Sequence, residues 1–152
     1  MTVRHIYVAP LKGAPARSLS QAEALAGQGL EGDRYAEARN RGGPDHEITF
    51  IELEAIRAFT EKTHLAMTPE MPRRNVVTEG VRLNELVGRR FRIGGAVFEG
   101  LELCEPCGKL ARRTHREALK FFVHRGGLRA RIVQGGLIRV GDGVEVVAPK
   151  RG

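Results

Sequence analysis

Apolar and polar residues alternate along several short stretches of the chain, which is the pattern of half-buried β-strands. The clearest example is VRHIYV near the start, and Pro10 follows it as a stop signal. Later, RRFRIG and AVFEGLEL flank a Gly-Gly pair, a combination typical of a β-hairpin. Glycines separate the remaining alternating stretches at regular spacing, as in a small barrel or sandwich. The strands predicted in this way cover residues 3–8, 75–78, 89–94, 96–103, 128–132, 138–140 and 144–147.

A spacing of three to four between apolar residues predicts helices elsewhere. The strongest amphipathic pattern covers residues 47–63 (EITFIELEAIRAFTEKT), and serines that could cap a helix precede a second one over residues 20–27. Residues 82–88 predict one or two helical turns closed by a glycine. Thr114 and Glu117 have the spacing of a capping box, which predicts a short helix after them.

The organisation that follows is one mainly β domain over residues 1–152, with a few short helices. Neither a linker nor a low-complexity tract divides the sequence. Residues 29–47 are polar and rich in glycine, and they predict a long loop. Loops of this length inside a small domain often line a functional site.

Composition narrows the classes of partner. The chain has 25 Lys and Arg against 18 Asp and Glu, a net charge of +7, which favours an anionic partner. Aromatic residues make up 5% of the sequence and Trp is absent, so stacking platforms for nucleic acid are scarce and a nucleic-acid partner is not expected. The N-terminal stretch lacks the apolar core of a signal peptide, and no apolar run reaches the length of a membrane span. We therefore expect a cytoplasmic protein with reduced thiols and no membrane association.

The two cysteines, Cys104 and Cys107, lie in the stretch LCEPCGKLARRTHRE. A disulfide is not expected in the cytoplasm, and a zinc site would need two further ligands at a standard spacing, which the sequence does not supply. A dithiol redox function stays open, since Pro106 resembles the proline of some redox CxxC motifs.

A single reactive thiolate has the best local chemistry, because nearby cations lower the pKa of a thiol. Between Lys109 and Arg131 the chain carries eight Lys and Arg and one acid, Glu117. Cys104 fits the end of a buried strand, whereas Cys107 falls in a polar turn. His115 and His124 fit solvated members of a basic face, and Asp142 fits a turn.

Several stretches in order resemble the MOSC domain, which is found at the C-terminus of molybdenum cofactor sulfurases. The resemblance covers nearly the whole chain and implies a closed MOSC-type β-barrel with peripheral helices, in the small stand-alone bacterial form. The stretches that carry it are GLEGDRY, HEITFIELEAI, RRNVVTEG, LNELVGRRFRIGGAVFEG, CEPCGKL and RGGLRARIVQGGLIRVGDGVEV.

The resemblance also implies site residues and a cofactor. The family's marker cysteine falls on Cys107, which becomes the candidate catalytic thiol and metal ligand, and Cys104 matches only a subset of the family. The basic run agrees with binding the phosphate of an anionic pterin, the molybdenum cofactor. Candidate cofactor-binding residues are Arg74, Asn75, Asp33, Lys109, Arg112 and Arg113.

Two functions are compatible with these residues: a sulfur carrier, which is the prediction, and a reductase as its alternative. In the first, Cys107 accepts persulfide sulfur from a pyridoxal-phosphate-dependent cysteine desulfurase and delivers it to the molybdenum cofactor or another metal–sulfur centre, with Cys104 as a second catalytic thiol. Pyridoxal phosphate then enters only through that partner. In the second, Cys107 is a permanent molybdenum ligand in a reductase of N-hydroxylated compounds.

Overall fold

The computed structural model describes residues 1–11, 13–37 and 47–147, and in these residues two antiparallel-rich sheets dominate the fold. The larger sheet has eight strands in the order β11-β7-β8-β9-β5-β6-β1-β2, and the smaller has the order β10-β3-β4. One pair, β5 with β6, is parallel. The strands are β1 Thr2–Val8, β2 Arg17–Leu19, β3 Gln21–Leu25, β4 Gly29–Leu30, β5 Ile48–Glu52, β6 Val76–Glu79, β7 Arg90–Ile93, β8 Ala96–Leu103, β9 Leu128–Gln134, β10 Gly136–Arg139 and β11 Val144–Val146.

Helical segments are few and short within these ranges. The longest is α2, Leu53–Thr63, which buries Leu53, Ile56 and Phe59. None of the helices in the described ranges has the length and apolar character needed to cross a membrane. The others are α1 Arg34–Glu37, a 3-10 turn over Leu83–Leu86, α3 Gly108–Arg113 and α4 Ala118–Phe121.

The apolar side chains form two cores on opposite faces of the larger sheet's strands. In the first, the ring of Phe50 meets those of Phe91 and Phe98 edge-on, with centroids 5.3 and 5.4 Å apart. In the second, Phe59 of α2 stacks on Phe122 at 5.5 Å, next to α4. Alternate residues of a strand point to opposite faces, so β5 contributes Phe50 to one core and Ile51 to the other.

One end of the larger sheet, beside β11, approaches β1, which is one strand in from the other end. An isolated antiparallel bridge pairs Thr2 with Gly143, and the Val3 N–H donates to the carbonyl of Asp142 at 2.9 Å. Beyond this bridge, no ladder of paired residues joins β11 to β1 in the described ranges. The mainly β class is confirmed, and the closed barrel remains an expectation from the family resemblance.

Two predicted helices are wrong in whole or in part. Residues 20–27 contain β3, because QAEAL pairs with β10 and buries Ala22 and Ala24 on one face. The stretch 47–63 is β5 followed by α2, and the strand half is buried almost continuously rather than at helical spacing. Pairing with neighbouring strands, which a single stretch cannot reveal, overrides local propensity in both places.

The capping box predicted at Thr114 and Glu117 does not form. Glu117 is itself the N-cap of α4 without a side-chain capping bond, and the Thr114 hydroxyl donates to the carbonyl of Leu110 at 2.7 Å. The preceding helix α3 was not predicted. The strands predicted at 3–8, 75–78, 96–103 and 128–132 are confirmed within one or two residues at most ends. Residues 38–46 of the predicted loop lie outside the described residues.

Candidate functional site

A cleft of about 1100 Å³ opens beside the end of β1. Residues 7–11 and 33–35 line one part of it, residues 73–75 line a second, and side chains from 105–113 line a third. The four segments are far apart in the sequence, and they meet only because the strands next to them are paired in the folded sheet. Its volume is in the range of cofactor and small-molecule sites.

Cys107 is an exposed free thiol in this cleft. It follows the end of β8 and Pro106, and it occupies the N-cap position of α3 in an extended conformation. The sulfur makes no regular capping hydrogen bond, but the backbone N–H groups of Leu110 and Lys109 face it. The Leu110 N–H is the main cause of a lowered Cys107 pKa, and the charges of Arg113 and Arg74 lower it further. The thiolate is therefore the favoured form of this side chain at a lower pH than for an ordinary cysteine.

Cys104 has the opposite surroundings, and it does not line the cleft. It is a free thiol with 1% of its surface exposed, and burial raises its pKa despite the nearby charges of Arg74 and Arg129. Its backbone N–H donates to the carbonyl of Gly127 at 2.8 Å. The structure thus places Cys104 as a packed residue behind the cleft.

Two glycines behind the cleft fix the position of a backbone carbonyl that holds an arginine side chain. A Cβ on Gly126 would lie 2.0 Å from the Cys104 carbonyl oxygen, and one on Gly127 would lie 2.0 Å from that of Phe50. Only glycine allows this close approach of backbones. The Gly126 carbonyl in turn accepts a hydrogen bond of 2.9 Å from Nε of Arg74.

Arg74 and Arg113 form the cationic surroundings of the thiol. Arg74 is half-buried, and its Nη1 donates to the Pro72 carbonyl at 3.3 Å, so the guanidinium is held on two sides. Partial burial and the charges of Arg73 and Arg74 lower the pKa of Arg113, which reflects how closely these cations gather. An anion placed among them would relieve this repulsion.

Most of the cations in the cleft have no acidic partner. Arg129 does have a partner, since it lies 3.8 Å from Glu102, and the acid Glu105 is paired with His124. The charge of Arg34 also acts on the buried carboxyl of Asp33. The cations that line the cleft and form no ion pair with any residue in the described ranges are Arg34, Arg73, Arg74, Lys109, Arg112 and Arg113.

Asn75 and Asp33 hold strands and loops together at the edge of the cleft. The Asn75 side-chain oxygen accepts hydrogen bonds from the N–H and hydroxyl of Thr49, and its amide nitrogen donates to the carbonyl of Tyr7 at 3.2 Å. Asp33 is 3% exposed and accepts from the N–H of Ala9 at 2.9 Å. Burial is the main influence on Asp33 and raises its pKa.

Residues 37–145 match the MOSC domain, which is more than half of the chain. This chain belongs to the MOSC family. The resemblance inferred from the ordered sequence motifs is thereby confirmed, and the matched range includes Cys107 and the cleft segments 73–75 and 105–113.

Known proteins similar to this MOSC chain include protein YiiM of Escherichia coli, with 34% identity over 87 residues. That alignment spans 54% of the present chain and 38% of YiiM. Among solved structures, the YuaD protein of Bacillus subtilis has a TM-score of 0.79 at 20% identity, with 96% of each chain covered. YiiM of Geobacillus stearothermophilus has a TM-score of 0.77 at 18% identity, covering 97% of this chain and 75% of its own. These two structures establish the shared fold.

The predicted site residues of the MOSC chain gather in the cleft with one exception, Cys104. Sequence reasoning missed Arg34, Arg73, Tyr7 and Thr49, which line the same space. Arg73 could have been found, because it directly precedes Arg74. Tyr7 lies within a predicted strand, and nothing in its surroundings marks it as part of a site. The predicted residues in the cleft are Cys107, Arg74, Asn75, Asp33, Lys109, Arg112 and Arg113.

The three histidine and aspartate predictions have different outcomes. His115 is not simply solvated, since its ring stacks on Phe59 at 5.8 Å and contacts the carbonyl of Ala66. His124 is exposed and its ring lies 3.2 Å from Glu105. Asp142 fixes a turn as predicted, because its carboxylate accepts from the N–H of Arg139 at 2.8 Å.

The chemistry of the available donors limits the metals that this site could hold. No group of three or more His, Cys, Asp or Glu side chains within the described ranges is arranged to hold a metal ion. A single thiolate, Cys107, is the soft donor in the cleft, and guanidinium groups around it suit anionic groups. This set fits a metal whose other ligands come from an anionic cofactor.

Proposed function

We propose that this MOSC domain binds the anionic, phosphorylated molybdenum cofactor in its basic cleft and acts as a reductase of N-hydroxylated compounds. The observation that carries the proposal is one exposed thiolate of lowered pKa in a cleft of about 1100 Å³, surrounded by cations that lack acidic partners. A thiolate that carried sulfur would need the basic cleft only while its anionic acceptor was bound. A cleft of this size and charge suits a resident cofactor.

The cofactor would supply the metal-centred two-electron chemistry, and the protein would supply one ligand and an anion-binding cleft. Cys107 is the protein residue that would bind the metal, since a soft thiolate is the natural donor. Arg74 and Arg113 would bind the phosphate, because the guanidinium group matches the geometry of phosphate oxygens. Lys109 and Arg112 add positive charge along α3. Asn75 and Asp33 would contribute mainly by fixing the backbone at Tyr7, Ala9 and Thr49.

The second candidate is the sulfur carrier, and the exposure of Cys107 favours it. Its thiolate would attack the outer sulfur of a persulfide on a pyridoxal-phosphate-dependent desulfurase, forming a new S–S bond while the donor leaves as a thiolate. Release of this sulfur as sulfide to the molybdenum cofactor or another metal–sulfur centre takes two electrons, which a second thiol would supply by forming a disulfide with Cys107. This role, like the first, belongs to a cytoplasmic protein, and the closed barrel expected of the family would serve both.

The deciding experiment compares the wild-type protein with Cys107→Ser, expressed in a host that makes molybdopterin. Cys104→Ala is the matched control, because it also removes one thiol but from outside the cleft. Metal analysis and pterin fluorescence measure the cofactor, and cyanide treatment measures labile sulfur.

We expect near-stoichiometric molybdenum and pterin in the wild type and in Cys104→Ala, and loss of the metal in Cys107→Ser. Labile sulfur that depends on Cys107, without molybdenum, would instead establish the carrier. Neither signal in the wild type would contradict both functions.

A further inference from the structure

The connection between β8 and α3 carries the thiol of the cleft but belongs to no helix or strand. It consists of residues 104–107 and ends at Cys107. The Cys107 side chain is exposed, so packing does not hold it in place. A reactive group on such a connection is placed only as well as the backbone that carries it is held. The contacts made by residues 104–107 therefore determine where the sulfur lies.

Backbone hydrogen bonds hold the two ends of this connection. The Cys104 N–H donates to the carbonyl of Gly127 at 2.8 Å. At the other end, the Cys107 carbonyl accepts from the N–H of Ala111 at 3.2 Å. Between them, the ring of Pro106 restricts its own φ angle. These contacts leave the middle of the connection to be held by a side chain.

Glu105 supplies that side chain, and both of its carboxylate oxygens are engaged by His124. Oε1 accepts from the backbone N–H of His124 at 3.0 Å, and Oε2 lies 3.2 Å from Nδ1 of the ring. The two residues are 19 positions apart in the sequence. Two contacts made by one planar carboxylate fix its direction as well as its distance. The pair thus joins the connection to the turn that precedes β9.

This turn is itself firmly placed. His124 has a φ angle of +60°, in the left-handed region, and its carbonyl accepts from the side-chain amide of Asn84 at 2.9 Å. A Cβ on Gly126 would lie 2.0 Å from the Cys104 carbonyl oxygen, so the backbones touch there. The Gly126 carbonyl also accepts the 2.9 Å hydrogen bond from Nε of Arg74. The turn therefore contacts both the connection that carries the thiol and an arginine of the cleft.

We infer that Glu105 is a positioning residue: by joining the connection 104–107 to the turn at His124, it fixes the place of the Cys107 sulfur relative to Arg74. The inference rests on the proposed function only in that Cys107 is the working thiol. Although Glu105 lines the cleft, its role is not to bind the cofactor, because a carboxylate repels an anionic group. Its engagement with His124 keeps this acid at the rim.

The test follows the alkylation of Cys107 by iodoacetamide across pH. It uses the whole chain made in a host without molybdopterin, so that the thiol is free. The variants are Glu105→Ala and the conservative Glu105→Gln. Glu102→Gln is the matched control, because Glu102 is an exposed acid of β8 that pairs with Arg129 and does not line the cleft. Circular dichroism and urea unfolding verify that each variant is folded.

We expect Glu105→Ala to raise the pH midpoint of alkylation by about half a unit or more, and to slow alkylation at pH 7 about threefold. The reason is that the sulfur moves relative to the Leu110 and Lys109 N–H groups that face it. Loss of the negative charge alone has the opposite sign, because it favours the thiolate and lowers the midpoint. An unchanged or lowered midpoint in Glu105→Ala would overturn the inference.

Glu105→Gln keeps an acceptor and a polar atom at the two contact positions, so its midpoint should lie at or slightly below that of the wild type. Glu102→Gln should behave in the same way. A midpoint raised equally in Glu105→Gln and Glu105→Ala would show that the hydrogen-bonded position is not what matters, and would also overturn the inference.

His124→Asn tests whether Glu105 acts through His124. Asparagine tolerates the left-handed conformation and keeps the backbone N–H, but it lacks the ring. We expect a smaller rise than in Glu105→Ala, and no further rise in the double variant, because both changes affect one contact. Additive shifts would contradict the proposed contact. Wild-type protein without molybdenum, from a host that makes molybdopterin, would contradict the proposed function separately, since the alkylation profiles need no cofactor.

Discussion

Cys107 and Cys104 lie three positions apart and present opposite chemistry to solvent. Backbone N–H groups and two arginines stabilise the thiolate of Cys107, whereas burial stabilises the thiol of Cys104. A thiolate is the nucleophile in alkylation, so reactivity follows the pKa and the exposure of each thiol. The short connection between β8 and α3 thus contains one reactive thiol, Cys107, and one inert thiol, Cys104.

We predict that iodoacetamide modifies Cys107 alone in the native protein, with a rate that rises with pH. The midpoint of this rise should lie below the usual thiol pKa of about 8.5, because the lowered pKa keeps the thiolate populated at lower pH. Arg113→Gln should raise the midpoint, and Arg92→Gln should leave it in place. Mass spectrometry of samples quenched over time measures the rates, and equal labelling of Cys104 would contradict the prediction.

At the residue scale, sequence reasoning found the chemically marked positions of the site. Cys107 and the cations of α3 stand out because thiols are rare and charges are clustered. Arg34 was missed because nothing local distinguishes it from other surface arginines. Its position in the cleft depends on the hydrogen bond to Ala9, which joins segments that are distant in sequence.

Among the secondary-structure elements, β6 holds a special position between β5 and β1. Asn75, just before β6, bonds to Thr49 of β5 and to the Tyr7 carbonyl of β1 through a buried amide. One side chain therefore joins three adjacent strands. A buried polar group that loses its partners costs more than an exposed hydrogen bond contributes.

We predict that Asn75→Ala lowers the free energy of unfolding by about 2–4 kcal/mol, since it leaves buried groups of Thr49 and Tyr7 unpaired. Asn84→Ala is the control: its amide makes one exposed hydrogen bond, to the His124 carbonyl, and about 0.5–1 kcal/mol is expected. Urea unfolding measures both. A small loss in Asn75→Ala would argue that the amide is kept for ligand binding instead.

The Gly126–Gly127 pair at the start of β9 makes a second prediction at this scale. Gly127→Ala combines a φ of +112° with a Cβ placed 2.0 Å from the Phe50 carbonyl oxygen, so strands must move apart. We expect a loss of about 3 kcal/mol or more, or failure to fold. Gly141→Ala has φ of +97° and open space, so about 1 kcal/mol is expected. Similar losses in both variants would show that the close contact is not decisive.

Elements were predicted well where alternation and glycine turns coincide, as in β7, β8 and β9. The errors at residues 20–27 and 47–63 share a physical cause. β3 has helix-compatible residues, QAEAL, but exchanges backbone hydrogen bonds with β10. β5 is buried on both faces, so its apolar run shows no period of two.

Over the whole molecule, most neighbouring strands of the larger sheet come from distant parts of the sequence, and the hairpins β7–β8 and β1–β2 are the local pairs. Thr2 of β1, one strand in from the end of the order, meets Gly143 beside β11, and both cores share strand β5. We predict one cooperative unfolding transition, with coincident midpoints by circular dichroism and by a thiol-accessibility probe of Cys104. Labelling of Cys104 at clearly lower denaturant would show that the region behind the cleft opens separately.

The contact between Val3 and Asp142 also has a consequence for the order of events during synthesis. The first strand emerges from the ribosome long before the turn that completes its hydrogen bonding has been translated. Hairpins such as β7–β8 and β1–β2 can form from neighbouring residues, whereas β1 meets β6 and the turn at Asp142 only later. The cleft uses residues 7–11 of the earliest segment and 105–113 of a late one. The thiol site therefore cannot assemble until residues 105–113 have been made, and binding in the cleft has to follow their synthesis.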